Sequence, residues 1–143
     1  MSRAAFFDRL IADPVLSGFG LNDDTVLHNY SKEERPTNAT PFVVLRWGAQ
    51  TRPPWQDPDV PVKPYEPVSV WVHWPAEVTN DYGKIIAVLN QIDSVVRDLR
   101  DVPGSDGDTL SFVQIGGRSP DLFDDGFNTI TKYADYEVYS RPS

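Results

Sequence analysis

The run from Val113 to Tyr139 constrains the fold more than any other part of the chain. It reads V-Q-I-G-G-R-S-P-D-L-F-D-D-G-F-N-T-I-T-K-Y-A-D-Y-E-V-Y. A short strand, Leu110 to Ile115, meets a Gly-Gly break. Ser119-Pro120-Asp121 and Asp124-Asp125-Gly126 then supply turn chemistry. The chain resumes as a long alternating strand ending near Tyr139. Ile130, Tyr136 and Val138 share one face, and Thr129, Thr131, Tyr133, Glu137 and Tyr139 the other. Two strands joined in this way predict the closing hairpin of a small sheet with an acidic connection. The run contains no catalytic motif.

Upstream, the pattern predicts the rest of an α+β domain. Ser2 to Ile11 reads as a short amphipathic helix with Phe6, Phe7, Leu10 and Ile11 on one side and Ser2 as its cap. Asp13-Pro14 ends it, or restarts it for one turn with Asp13 as the new cap. Thr25 to Tyr30 is a strand, and Ser31 to Pro41 a loop. Pro41 to Gly48 (P-F-V-V-L-R-W-G) is a strand whose continuous apolar run predicts a central position. In Val68 to Trp74 (V-S-V-W-V-H-W), Val68, Val70, Val72 and Trp74 face one way, and Ser69, Trp71 and His73 the other. A helix capped by Thr79 or Asn80 runs to about Asp101. Its apolar stripe is Tyr82, Ile85, Ile86, Leu89, Ile92, Val96 and Leu99. The expected fold is a mostly antiparallel sheet of four to five strands, with the long helix and the short N-terminal helix packed on one face. Residues 1–143 form a single domain.

Between the two confident strands lies a projecting loop, residues 49–67. It holds six of the chain's 13 prolines, with Trp55 and Tyr65 among them. Proline lacks the amide a central ladder needs, and loops of this length tend to be functional or disordered.

The function classes narrow by chemistry. There is no cysteine, which removes disulfides, thiolate nucleophiles and zinc–thiolate sites and fits a reducing cytoplasm. A net charge of −8 argues against binding DNA through its phosphates. It suits solubility, or an acidic surface that DNA passes without sticking. Met1 to Arg9 lacks a signal-peptide core. No apolar stretch approaches the roughly 18 residues of a membrane helix.

Candidate sites are few. His28 and His73 have no local partner pattern for catalysis or metal binding. Asp106 and Asp108, with the stretch from Asp121 to Gly126, resemble fragments of calcium loops but lack the closing bidentate Glu. Gly116-Gly117-Arg118-Ser119 has no Walker lysine. Trp71 and Trp74 point to opposite faces, which argues against a flat stacking platform. Trp55, in the Pro-rich loop, suits a protein interface. We expect no catalytic residue, cofactor or metal site. The residues alone leave open an interaction module, a carbohydrate- or ligand-binding module, and an enzyme using scattered carboxylates.

The series of segments resembles the tail-terminator proteins of long-tailed (siphovirus-type) bacteriophages. The match runs from the N-terminal helix through P-F-V-V-L-R-W-G, the long loop, V-S-V-W-V-H-W-P and N-D-Y-G-K-I-I-A-V-L-N-Q-I. It ends at the G-G-R-S-P-D-L-x-D-D-G hairpin. The resemblance implies a structural virion protein in the tail-neck region, made in the host bacterial cytoplasm. It would form a homohexameric ring on the head-proximal end of the tail tube, contacting the major tail tube protein and the head–tail connector or stopper. Genome DNA would cross its lumen without specific binding. Another neck protein, for head closure or connection, is the nearest alternative. The candidate interface residues, chosen from loop chemistry, are Trp55, Tyr65, Arg118, Asp121, Asp124 and Asp125.

Overall fold

The computed structural model describes residues 3–30, 36–48, 65–105 and 107–142. Two helices open the chain. In α1 (Arg3–Ala12), Ala5, Phe6 and Leu10 are buried. In α2 (Pro14–Gly18), the Asp13 carboxylate caps the first turn by accepting from the Leu16 amide at 2.9 Å. Proline at the first helical position costs nothing there, since its missing N–H would have been unpaired anyway. Ser2, the expected cap of α1, lies outside the described residues, as do the calcium-loop residue Asp106 and Trp55.

The strands are β1 (Val26–His28), β2 (Phe42–Trp47), β3 (Tyr65–Pro75), β4 (Val102–Pro103), β5 (Asp108–Arg118), β6 (Leu122–Asp124) and β7 (Thr129–Pro142). They form one sheet in the order β1-β2-β3-β7-β5-β4, with β6 also pairing β7. Only the β1–β2 pair is parallel, so the sheet is mixed and mostly antiparallel. The fold is α+β, as expected. Its strands exceed the expected four to five because β4 and β6 are too short to show an alternating pattern. β6 lies inside the segment that turn chemistry marked as irregular.

The long helix α3 (Tyr82–Arg97) starts and stops inside its expected bounds. Asp81, rather than Thr79 or Asn80, is the cap, and its carboxylate accepts from the Gly83 amide at 2.9 Å. Thr79 instead accepts the Asp81 amide through its hydroxyl. The helix ends at a cap on Asp98, and Asp101 adopts a φ of 51° that no helix continues through. Ile85, Leu89, Ile92, Val96 and Leu99 of the expected apolar stripe are buried, with one exchange. Val88 is buried, and Ile86 points to solvent at 38 % exposure.

β3 begins at Tyr65, so the loop ends earlier than residue 67. Pro67 is tolerated because β2 stops pairing at Trp47↔Val68. Beyond that point the Pro67 carbonyl still accepts from the Gly48 amide at 2.8 Å. The β3 pairing to β7 continues unbroken from Pro75 to Tyr65.

The main core lies between the helices and one face of the sheet. Val68, Val70, Val72, Ile130, Tyr136 and Val138 meet Phe6, Leu10, Ile85, Leu89, Ile92 and Val96. A smaller cluster of Phe42, Val44 and Phe127 covers part of the other face, with Tyr30 and Trp71 packed against it.

A bulge interrupts β5 between Ile115 and Arg118. A Cβ on Gly116 would sit 2.9 Å from the Asp135 carbonyl oxygen, a backbone atom that cannot swing away, whereas one on Gly117 would meet nothing within 4 Å. Gly116→Ala is expected to cost about 1–3 kcal/mol and Gly117→Ala less than about 0.5 kcal/mol. Urea unfolding of the two variants side by side checks this, and equal costs would contradict it.

Candidate interaction site

The closing hairpin reaches the N-terminal end of α3. The Tyr82 hydroxyl donates to the Leu122 carbonyl at 2.6 Å, tying the first turn of the helix to β6. The Ala76 amide donates to the Asn128 carbonyl, tying the turn after β3 to the turn before β7. Three apolar side chains stand exposed at this end: Phe123 at 51 %, Val78 at 45 % and Ile86 at 38 %. Asp81, Asp121 and Asp125, on the same segments, are exposed as well. Large apolar side chains left exposed among carboxylates are the kind of surface that proteins use to bind one another.

The hairpin is held by a polar network that runs from the buried Asp93 and Tyr136 out to the exposed Arg118. Asp93 projects from α3 into the core at 8 % exposure. Its Oδ1 accepts from the Tyr136 hydroxyl at 2.5 Å and its Oδ2 from an Arg118 guanidinium nitrogen at 2.6 Å. Burial, and then the bond to Asp93, push the Tyr136 phenol well above its ordinary range. A second ion pair joins buried Lys132 to exposed Asp121 at 2.9 Å. Asp124 accepts the Phe127 amide at 2.9 Å, closing the turn that carries Asp125 and Gly126.

Four of the sequence candidates therefore sit together, with distinct tasks. Arg118, Asp121 and Asp124 are engaged within the chain, and Asp125 is exposed on the turn. Tyr65 is apart from them. It lies half-buried on β3 with its ring 5.4 Å from Tyr139, which stacks in turn on Phe112 at 4.4 Å. Sequence reasoning missed Phe123, Ile86 and Asp93. Phe123 was legible as an apolar residue inside the acidic turn segment D-L-F-D-D. Asp93 was legible as a carboxylate four residues after Leu89 and three before Val96, hence on the apolar side of a helix.

Both histidines serve packing. The His28 Nδ1 accepts from the Trp47 indole at 3.0 Å, and its pKa is lowered by burial and then by the charge of Arg3. His73 is stacked on Phe42 with ring centroids 4.9 Å apart, and its Nδ1 lies 2.9 Å from the Thr129 hydroxyl. Among the described residues no group of three or more His, Asp or Glu side chains gathers as metal ligands. No helix among them is long and apolar enough to cross a membrane. No protein-family model matches the chain, and no curated protein matches it.

Proposed function

We propose that this chain is a structural subunit of a phage neck, a tail terminator that caps the head-proximal end of the tail tube as a homohexameric ring. It ends tube polymerisation and presents a surface to the head–tail connector. The observation that carries an assembly role is the exposure of Phe123, Val78 and Ile86 on segments that also expose Asp81, Asp121 and Asp125. Such a surface suits a protein partner better than a small molecule, which favours enclosed pockets. The order of segments along the chain supplies the kind of assembly. The net charge of −8 supports a lumen that DNA crosses without adhering.

The test is electron microscopy of lysates from a phage carrying this gene, with the gene deleted. Tubes of uncontrolled length and unattached heads are expected. Tails of normal length would overturn the terminator role. If those tails came with leaking or unjoined heads, the chain would instead be a head-closure or connector protein.

A further inference from the structure

The two faces of the sheet are packed very differently. The helix side holds the main core, and the other side only Phe42, Val44 and Phe127, with Tyr30 and Trp71 against them. His73 is buried in this outer cluster. Its ring is stacked on Phe42 at 4.9 Å and lies near-perpendicular to Phe127 at 5.3 Å. Its Nδ1 lies 2.9 Å from the Thr129 hydroxyl, and its Nε2 has no hydrogen-bond partner among the described residues. Phe127 is in turn the one buried side chain between Pro120 and Asn128. The Tyr82 and Lys132 contacts hold β6 and the approach to it, not the turn that follows. That turn is fastened to the outer face by a single buried ring, and the ring rests on an imidazole.

We propose that His73 is an acid-released latch: uptake of one proton frees Phe127 and the turn from Asp125 to Asn128, while the helix-side core stays closed. An imidazolium carries two N–H donors. Thr129 accepts one of them. The Nε2 donor is then buried without an acceptor, and the charge without water. Phe42 and Trp71 are held inside β2 and β3, so the ring that moves aside to admit water is Phe127. Burial lowers the pKa of His73 to about 4, with Asp124 from β6 opposing the shift and Arg46 from β2 assisting it. The neighbours on β3 and β7, Trp71, Thr129 and Thr131, carry no charge, and Tyr30 brings a phenol from the segment after β1. Once uncovered, the imidazole takes its proton near pH 6.5. Between the two values the open form binds more protons, so acid favours opening. A segment with so few buried apolar contacts can open without the rest. The turn adjoins Phe123, so its release alters the surface proposed above for assembly; the latch itself does not depend on that role.

Amide hydrogen exchange of the full chain, corrected for the intrinsic rate at each pH, tests the latch. The reporters are the Phe127 amide, bonded to Asp124, and the Ala76 amide, bonded to the Asn128 carbonyl. Amides of Val70, Leu89 and Ile92 report on the main core. Protection at the reporters is expected to fall about 20-fold from pH 7 to pH 5, the linkage of a group that titrates near pH 4 when closed and 6.5 when open. Their exchange is expected to ignore low urea, as local opening does, while that of the core amides rises with it. In His73→Asn the fall with pH is expected to disappear; His73→Gln carries the same test should that variant not fold. Phe127→Ala is expected to leave the reporters as weakly protected at pH 7 as at pH 5. Reporters that share the urea dependence of the core would overturn the latch, because the turn would then open only with the whole chain. A fall of equal size in His73→Asn would also overturn it and assign the proton to another group.

Discussion

Replacing Asp93 with alanine is expected to lower the unfolding free energy by about 2–4 kcal/mol, mostly the cost of leaving the buried Tyr136 hydroxyl unpaired, with a smaller part from the ion pair to solvent-exposed Arg118. The carboxylate is the common acceptor for the Tyr136 hydroxyl and the Arg118 guanidinium. Its removal leaves a buried phenol without a partner and the exposed Arg118 without its counter-charge. Small domains have only about 5–15 kcal/mol in total, so the variant should be marginal at 37 °C. Two milder changes separate the contributions. Tyr136→Phe removes one neutral donor and leaves the ion pair, which predicts a loss of about 1–2 kcal/mol. Asp93→Asn keeps an acceptor for Tyr136 but takes the charge from Arg118, and should fall between the other two. Urea titrations of all three give the order directly. A loss below about 1 kcal/mol for Asp93→Ala would mean that water reaches the Tyr136 hydroxyl and that the network holds little.

The same network marks the limit of what the sequence reveals. Alternation announced β3 and β7 because their two faces differ: Val68, Val70 and Val72 enter the main core while Ser69 and Trp71 do not. The long helix was equally plain, and so was most of its buried face: Ile85, Leu89, Ile92, Val96 and Leu99 are buried as expected, with Ile86 the exception and Val88 the addition. Ile85 and Ile86 are both apolar, and only packing decides which is buried. The choice went to Ile85 and Val88 against the sheet and left Ile86 outside. Turn residues hid β6, because three residues cannot display a period and two of their neighbours are aspartates. The place of Asp93 on the apolar side was legible from its spacing, but its task was not. A helix reading treats a carboxylate as solvated unless its partners are known, and both partners lie at least 25 residues away in sequence. Tyr65 and Pro67 were assigned to the loop on composition. Where β2 happens to end is what admits a proline to β3, and no local pattern encodes that.

His73 should make the fold acid-sensitive well above the pH at which most carboxylates titrate. The ring is 2 % exposed, sandwiched on Phe42 and edge-on to Phe127, with Trp71 alongside. Burial lowers its pKa to about 4, which the negative charge of Asp124 opposes and the positive charge of Arg46 assists. In the unfolded chain the same imidazole takes up its proton near pH 6.5. Between those two values the unfolded state binds more protons than the folded one, so stability falls as pH falls. Each unit contributes about 1.4 kcal/mol, so the loss across the window is about 3 kcal/mol. Above pH 7 the imidazole is neutral in both states and the dependence vanishes. His73→Asn is the informative control: its amide can still meet the Thr129 hydroxyl, but nothing titrates. That variant loses ring packing and should be less stable at pH 7, yet its stability should change less between pH 6.5 and 4.5. The carboxylates are common to both proteins, so the difference in slope isolates the histidine. Parallel slopes would show that the folded protein admits the proton without penalty. The outer-face cluster would then be open enough to hydrate the ring, and Phe127 would not be the fixed anchor of the β6–β7 turn that its contacts imply.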